Sequence, residues 1–135
     1  MAVTQFKVSE AAALLGVSDD TVRRWADAGK LTLTRAGTGP STIDGAQLAT
    51  LAQELAAESA LAEAFPTHRA SARNRLTGIV TRVTKDGVMA QVELQAGPFR
   101  VVSLMSREAA DELELEPGSL AVASVKATTV VVELP

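Results

Sequence analysis

The stretch Ser71-Ala72-Arg73-Asn74-Arg75-Leu76-Thr77-Gly78 lies at mid-chain and decides how the C-terminal half of the sequence is interpreted. It places a hydroxyl, an amide and two guanidinium groups directly before a run of β-type residues, 76–84. Hydroxyls and backbone N–H groups donate hydrogen bonds, and arginine adds a positive charge on a planar fork. This composition fits a site for a small anion, and it equally fits a polar linker that begins a strand.

Downstream of this stretch the sequence predicts short strands and one helix. Lys85-Asp86-Gly87 is a hairpin turn signal. After it, Val88, Ala90, Val92 and Leu94 alternate with Met89, Gln91 and Glu93, the pattern of a half-buried strand. Ser106 is placed to cap a short helix. Further strands are predicted at 99–105, 120–125 and 128–134. About five short strands and one helix indicate a small β-barrel of the OB type.

Four motifs of the C-terminal half stand in a fixed order: Ser71-Ala-Arg-Asn-Arg-Leu-Thr-Gly, Leu104-Met-Ser-Arg-Glu-Ala-Ala-Asp-Glu-Leu, Glu116-Pro-Gly and Val125-Lys-Ala-Thr-Thr-Val-Val-Val. Over about residues 70–135 this order closely resembles the molybdenum-binding Mop domain, a member of the TOBE group. The resemblance implies a site for the tetrahedral dianion molybdate or tungstate. The two anions have nearly the same size and charge, so the sequence leaves both as candidates.

Such a site needs several hydrogen-bond donors that converge on four oxygens, together with one or two positive charges. The resemblance assigns these donors to Ser71, Ala72 through its backbone N–H, Arg73, Ser106, Lys126, Ala127 and Thr128. Three of them have a structural alternative: Ser106 as an N-cap, Lys126 as a surface charge and Thr128 as a strand residue. Ala109 stands where the family often has a second hydroxyl, so one donor is expected to be missing.

The resemblance also concerns assembly. In this family the anion sites lie between subunits, and single-domain versions resemble trimers of dimers. The chain contains one such domain, whereas the larger molybdate regulators carry two in tandem. We therefore expect a homo-oligomer, either a hexamer built as a trimer of dimers or a dimer if the N-terminal domain restricts assembly.

The N-terminal third predicts two short helices joined by a tight turn. Ser9 is a candidate N-cap for the first helix, which Gly16 ends; Ser18 caps the second helix, which Gly29 ends. Two helices around a glycine-containing turn form a helix-turn-helix.

In the second helix Val22 and Trp25 are spaced i, i+3 and are expected to face inward. The outer face then carries Asp20, Thr21, Arg23 and Arg24. Aspartates at a helix N-terminus stabilise the helix but oppose contact with phosphate.

The sequence from Val8 to Leu31 resembles the MerR/excisionase type of winged helix-turn-helix, and the match covers about residues 5–55. The resemblance implies that the second helix enters the major groove and that a hairpin at 31–43 contacts the DNA backbone. Arg23 and Arg24 would contact bases or phosphates with support from Thr21, and Arg35 would reach phosphate from the wing. The alternative is that these charges form only the solvated face of a small helical domain.

The middle segment predicts a helix capped by Asp44. Leu48, Leu51 and Leu55 follow helical spacing, and Leu61 and Phe65 extend the helix until Pro66 ends it. His68 is read as a solvated linker histidine. The predicted domains are a winged helix-turn-helix domain with a C-terminal linker helix at 1–65, a linker at 66–70 and a Mop/TOBE domain at 71–135, which together form an α+β chain.

Charge is unevenly distributed along the 135 residues, whose net charge is −3. Residues 1–43 hold five basic and four acidic side chains, residues 44–68 hold four acidic side chains and no Lys or Arg, and residues 69–135 hold eight of each. The acidity therefore lies in the middle segment, and the net charge does not exclude DNA binding by the first.

Composition excludes several classes of site. The chain has no Cys and one His, so neither a disulfide framework nor a thiolate or His-rich metal centre is expected. It contains no nucleophile–base pair and no Gly-rich phosphate loop, so we expect no enzyme and no cofactor. No apolar run approaches the roughly 20 residues of a membrane span, and no signal-peptide pattern begins the chain, so we expect a cytoplasmic protein without a membrane partner.

These observations predict a transcriptional regulator that binds molybdate or tungstate through its C-terminal domain and double-stranded operator DNA through its helix-turn-helix. The alternative is a molybdate or tungstate storage protein without specific DNA binding. Loss of DNA affinity after substitution of Arg23 and Arg24 would distinguish the first from the second.

Overall fold

The computed structural model describes residues 4–66 and 69–135. Contacts between residues divide the chain into two compact units, Met1–Pro66 and Thr67–Pro135, and each unit is described by itself. The predicted linker histidine, His68, lies outside the described residues.

The N-terminal unit is a helix-turn-helix with a three-stranded wing, which confirms the predicted architecture. Its elements in chain order are β1 (Gln5–Lys7), α1 (Val8–Leu15), α2 (Asp19–Asp27), β2 (Thr34–Arg35), β3 (Ser41–Asp44), α3 (Gly45–Ala57) and α4 (Ala60–Ala64). The strands form an antiparallel sheet in the order β1-β3-β2. β1 was not predicted from the sequence, and it pairs with β3.

The helix ends follow the sequence signals with one exception. α1 begins at Val8 and not after Ser9, because the Glu10 carboxylate accepts the backbone N–H of Lys7 at 2.8 Å and so satisfies a donor before the helix. Ser18 caps α2 as predicted, with its hydroxyl accepting the N–H of Thr21 at 3.2 Å. Gly16 ends α1 with φ of 69°, a left-handed conformation that glycine adopts without strain.

The core of this unit packs α1, α2 and α3 against the sheet. Val22 and Ile43 are completely buried, Leu48 and Leu51 are nearly so, and Trp25 packs against them while remaining partly exposed. The prediction that Val22 and Trp25 face inward is confirmed. α2 is thus held by its inner face, and its polar face remains outside.

The predicted long middle helix is wrong in one respect, since it is broken in two. α3 ends at Ala57, and Ser59 begins α4 by accepting the N–H of Ala62 at 3.1 Å. A serine hydroxyl that bonds to the backbone competes with continuous helix, which explains the break. Leu61 on α4 and Phe65, which follows the helix, remain exposed.

The C-terminal unit is a curled antiparallel sheet that forms a half-barrel, which confirms the predicted small OB-like β-structure. Its elements are β4 (Asn74–Lys85), β5 (Met89–Ala96), β6 (Phe99–Ser106), α5 (Arg107–Glu112) and β7 (Leu120–Val125). The strand order is β6-β5-β4-β7, so β6 and β7 are the two edges. Val80, Val92 and Leu94 form its buried core.

The predicted final strand at 128–134 is wrong. Ala127–Thr129 is a 3-10 turn, because both the backbone N–H and the hydroxyl of Thr129 donate to the carbonyl of Lys126, at 3.0 and 2.9 Å. Residues 130–135 belong to no strand within the part of the chain that the structure describes.

Alternation along β5 also departs from the prediction at two positions. Val88 precedes the strand and is exposed, whereas Ala90, Val92 and Leu94 are buried as expected. Glu93 is buried too, and its Oε1 accepts the Nε–H of Arg100 at 2.7 Å across the β5–β6 pair. A buried carboxylate requires such a partner, since an unpaired charge in the interior is costly.

Candidate functional site

The register of β4 and β7 brings the first and last motifs of the C-terminal unit together. Asn74, the first residue of β4, pairs with Val125, the last residue of β7. Residues 71–73 lead into this pair and residues 126–128 leave it, so the two segments lie at the same end of the sheet. The side-chain amide of Asn74 adds a hydrogen bond to the carbonyl of Val125 at 3.1 Å.

The donors at this end are open to solvent. Ser71, Arg73 and Lys126 are exposed, and Ala72 is half-buried. The guanidinium of Arg73 donates through Nη1 to the carbonyl of Ala70 at 2.9 Å, which uses one of its five donors and restricts the side chain. Two positive charges, a serine hydroxyl and the hydroxyl of Thr128 are therefore available to an anion at the start of β4 and the end of β7.

Ser106 lies at the opposite end of the same sheet. It pairs with Met89 at the start of β5, next to the hairpin that follows Lys85 at the end of β4. A strand of twelve residues such as β4 is roughly 35 Å long. One chain therefore does not bring Ser106 to Ser71 and Lys126, and a site that uses all of them requires a second chain.

Ser106 acts as a helix N-cap, the structural alternative that the sequence offers for this residue. Its hydroxyl oxygen accepts the N–H of Ala109 at 3.1 Å and caps α5. Asp111 on the same helix binds Lys85 through Oδ1 at 2.5 Å, and this hydrogen bond with the ammonium group holds the pKa of Asp111 below its ordinary value. α5 is thus fixed to the end of β4.

The outer face of α2 presents the predicted nucleic-acid contacts to solvent. Thr21 accepts a hydrogen bond from Nη2 of Arg24 at 3.0 Å, so its hydroxyl orients that guanidinium. Arg23 approaches Asp20 at 3.9 Å between exposed groups, a distance at which the ion pair contributes little.

The wing and α2 form one cleft of about 300 Å³. It is lined by Arg23 from α2, by Arg35 from β2 and by Lys7 from β1, with Ser41 beside them and Asp19 as the acidic member. Arg35 is oriented by a hydrogen bond from its Nε to the carbonyl of Gly39 at 2.8 Å.

Sequence reasoning missed Lys7, because β1 was not predicted and a single lysine before a helix carries no signal of its own. The available signal was the run Gln5-Phe6-Lys7, whose alternation permits a short edge strand. The strand pairs Lys7 with Thr42 and so brings it to the wing.

The described ranges hold neither a metal-binding cluster nor a membrane-spanning helix. Residues 4–66 and 69–135 contain no group of three or more His, Cys, Asp or Glu side chains that could hold a metal ion. Among the helices in those same ranges, none has the length and apolar character needed to cross a membrane.

A helix-turn-helix unit followed by a small antiparallel half-barrel defines a two-domain protein. Comparison with protein families agrees: residues 6–43 match the helix-turn-helix domain and residues 70–132 match the TOBE domain. Both families are binding domains rather than enzymes. None of the curated proteins compared with the chain matches it.

Three solved structures are similar to the C-terminal half. A molybdate binding protein from Sporomusa ovata is 30% identical, with 50% of this chain and 100% of that chain covered and a TM-score of 0.48. MopII from Clostridium pasteurianum is 36% identical over 49% of this chain and 100% of its own, with a TM-score of 0.46. The cytoplasmic molybdate-binding protein ModG is 39% identical over 50% of this chain, with a TM-score of 0.48, and this chain covers only 49% of its length.

The chain therefore belongs to the TOBE-domain family, and it carries a helix-turn-helix domain before its TOBE domain.

Proposed function

We propose that this protein is a transcriptional regulator that binds molybdate or tungstate through its TOBE domain and operator DNA through its helix-turn-helix. The observation that carries the oxyanion half is the pairing of Asn74 with Val125, because it joins the two motifs that resemble the anion-binding segments of Mop domains. The DNA-binding half is supported by the basic cleft between α2 and the wing.

The proposed oxyanion site takes its charge from Arg73 and Lys126 and its neutral donors from Ser71, Thr128 and the N–H groups of Ala72 and Ala127. Neutral donors bind a tetrahedral dianion without full charge neutralisation, and the spacing of a rigid set of donors selects by size. Sulfate has the same charge and shape but is smaller, so this site should discriminate against it.

Ser106 can bind an anion in the proposed site only if several copies of the chain assemble. Since it lies at the far end of its own sheet, its hydroxyl contributes only where a neighbouring chain brings Ser106 to an anion. We therefore propose a homo-oligomer, a hexamer as a trimer of dimers or a dimer, with anions bound between chains.

The proposed DNA contacts are Arg23 and Arg24 on α2 and Arg35 on the wing. Thr21 orients Arg24, and Asp20 lies beside Arg23 on the same exposed face. Lys7 adds a fourth basic side chain to this surface. Paired helices of an oligomer must match half-sites about one turn of DNA apart, roughly 34 Å. An anion between chains would change this spacing and so couple the two sites.

Calorimetric titration of the full-length protein with molybdate, tungstate and sulfate tests the oxyanion half. We expect binding of the first two anions and none of sulfate, with weaker binding in Lys126→Gln. Lys30→Gln removes the same charge from the other unit and serves as the matched control. Equal affinity for all three anions, or equal loss in both variants, would contradict the proposal.

DNA selected from a random-sequence duplex pool tests the other half. Arg23→Ala and Arg24→Ala should each weaken binding and reduce the dependence of affinity on salt, since each removes a phosphate or base contact. Operator affinity should differ between molybdate-free and molybdate-saturated protein.

The second candidate function is storage or buffering of the same oxyanions. It is favoured by Asp19 and Asp20, whose carboxylates lie on the face that would approach DNA and would repel phosphate. A storage protein binds molybdate but selects no DNA sequence from the pool. Substitution of Arg23 or Arg24 should leave its molybdate binding unchanged.

A further inference from the structure

We propose that the cleft between α2 and the wing is a second oxyanion site, which holds one tetrahedral anion of the phosphate class. This anion is either a phosphate of the DNA backbone or a free anion from solution. The residues of the cleft belong to the N-terminal unit and are distinct from those of the proposed TOBE site. Free phosphate, sulfate or molybdate then competes with DNA at the N-terminal unit. Only this competition rests on the proposed DNA binding, because a free anion can occupy the cleft without DNA.

The positive charge of the cleft comes from three separate elements. Arg23 lies on α2, Arg35 on β2 and Lys7 on β1, and they line a cleft of about 300 Å³ together with one acidic residue, Asp19. Three positive charges and one negative charge give the lining a net charge of +2. A concave surface of one sign concentrates counter-ions, because its low-dielectric walls focus the field. This charge suits an anion that carries one or two negative charges.

The two arginines of the cleft keep donors for a ligand. Arg35 donates through Nε to the carbonyl of Gly39 at 2.8 Å, which orients its guanidinium and leaves Nη1 and Nη2 without a partner in the part of the chain that the structure describes. Arg23 approaches Asp20 at 3.9 Å, and this ion pair between exposed side chains is weak. A guanidinium presents its donors as a planar fork that matches two oxygens of a phosphate group.

Two serines of the cleft supply neutral donors beside the arginines. Ser41 is directly opposite Arg35 in the β2–β3 pair, and opposed residues project from the same face of a sheet. Ser9 was predicted as an N-cap but is the second residue of α1, and its hydroxyl caps no helix among the described residues. A hydroxyl donates a hydrogen bond to an anion oxygen without adding charge. The cleft therefore combines charged and neutral donors, as a phosphate site requires.

The cleft should select anions by charge and not by size. The basic side chains that line it are long and exposed, so they adjust to anions of different radius. Phosphate, sulfate and molybdate should therefore bind the cleft with similar affinity, whereas the proposed TOBE site should reject sulfate. Asp19 repels every anion, and it repels a dianion more strongly than a monoanion. A phosphodiester of the DNA backbone carries a single negative charge and so fits this lining best.

Protection of arginines from phenylglyoxal tests occupation of the cleft without DNA. Mass spectrometry of peptides from the full-length protein gives the modification rate at each arginine. Sulfate should slow the modification of Arg23 and Arg35 relative to chloride at the same ionic strength. Arg24 lies on the same helix but outside the cleft and is bonded to Thr21, so its rate should be equal in both salts. Molybdate, but not sulfate, should protect Arg73 of the proposed TOBE site.

Two pairs of variants locate the bound sulfate. Asp19→Asn removes the repulsive charge from the cleft and should tighten sulfate binding roughly two- to fivefold. Asp27→Asn removes the same charge from the same helix outside the cleft and should leave the affinity unchanged. Arg35→Gln should weaken sulfate protection of Arg23 about tenfold, whereas Arg24→Gln should not. Equal modification rates at Arg35 in sulfate and chloride, or an unchanged sulfate affinity in folded Asp19→Asn protein, would overturn the proposal.

DNA binding at matched ionic strength distinguishes the two sources of the anion. Duplex DNA should bind more weakly in sulfate than in chloride, and Arg35→Gln should reduce this difference while Lys126→Gln retains it. Equal DNA affinity of the unsubstituted protein in both salts would overturn the competition. Sulfate protection of Arg35 in a protein that binds no DNA would support the site with the free anion as its ligand, and would refute only the DNA half of the proposed function.

Discussion

The side-chain amide of Asn74 donates a hydrogen bond to the backbone carbonyl of Val125 at 3.1 Å, and so joins the start of β4 to the end of β7. One residue before Asn74 is Arg73, and one residue after Val125 is Lys126. The bond therefore helps to hold together the two segments that carry the positive charges of the proposed anion site. Asn74 is half-buried, which protects the bond from competition by water.

Substitution of Asn74 should consequently reduce the free energy of molybdate binding by more than it reduces the free energy of unfolding. Asn74→Ala removes one hydrogen bond and should cost about 1 kcal/mol of unfolding free energy. Asn74→Asp should weaken molybdate binding further, because it turns a donor into a second acceptor against the Val125 carbonyl and adds a negative charge beside the anion. Titration calorimetry and denaturant unfolding of the three proteins measure the two effects. Equal affinity in Asn74→Asp and the unsubstituted protein would contradict this role.

Gly78 marks a close approach of two strands of the half-barrel. A Cβ atom at this position would lie 2.5 Å from the carbonyl oxygen of Gln95 and 3.1 Å from the Cα of Ala96, both backbone atoms that cannot rotate away. Gly78→Ala should therefore destabilise the C-terminal unit by roughly 1–3 kcal/mol.

Gly87→Ala is the matched control for Gly78→Ala. A Cβ at Gly87 meets nothing within 4 Å, so this variant should lie within about 0.5 kcal/mol of the unsubstituted protein. Urea unfolding followed by far-ultraviolet circular dichroism gives both values. If the two alanine variants unfold at the same urea concentration, the close approach at Gly78 has no energetic consequence.

Structural features are predicted correctly from the sequence where neighbouring residues alone determine them. Ser18, Asp44 and Ser106 were expected as N-caps and all three cap helices, because a cap is decided by residues within one turn. The core position of Val22 followed from spacing alone.

The sequence-based predictions are wrong where a distant or competing interaction determines the local structure. Ser59 interrupts a helix whose leucine spacing continues past it, and the Thr129 hydroxyl folds a β-type sequence into a turn. The separation of Ser106 from Ser71 depends on strand order, and a linear motif does not contain strand order. Lys7 lies at the wing only because β1 pairs with β3, which is more than thirty residues further along the chain.

Asp86 at the β4–β5 hairpin gives a pH-dependent contribution to stability. Its Oδ1 accepts the N–H groups of Met89 at 2.7 Å and Val88 at 2.8 Å, and these bonds hold the pKa of Asp86 below the ordinary aspartate value of 3.8. A carboxyl whose pKa is lowered on folding stabilises the fold above its unfolded pKa, and this stabilisation is lost as the pH falls through its folded pKa.

Asp86→Asn should therefore make the melting temperature depend less on pH in acidic solution. The amide keeps an oxygen that accepts from Val88 and Met89 but does not titrate, so the melting temperature should fall less below pH 4 than in the unsubstituted protein. Asp111, whose pKa is lowered by Lys85, acts in the same direction, and Asp111→Asn should flatten the curve again. Melting curves between pH 3 and 6 measure the slopes. Parallel slopes in all three proteins would refute the assignment.

Ser106 combines the two roles that the sequence offered as alternatives, and two substitutions separate them. The hydroxyl oxygen accepts the N–H of Ala109, while its hydrogen remains free to donate to an anion brought by another chain. Ser106→Ala removes both functions and should cost about 1 kcal/mol of stability together with molybdate affinity.

Ser106→Asp keeps an acceptor for the N–H of Ala109 and should preserve stability, since aspartate is as good an N-cap as serine. It has no hydrogen to donate, and its negative charge repels the anion. This variant should therefore match the unsubstituted protein in unfolding free energy but bind less molybdate per chain in calorimetric titration. If Ser106→Asp binds molybdate with unchanged affinity and stoichiometry, Ser106 acts only as the cap of α5, and the anions are held entirely by the end of the sheet that carries Arg73 and Lys126.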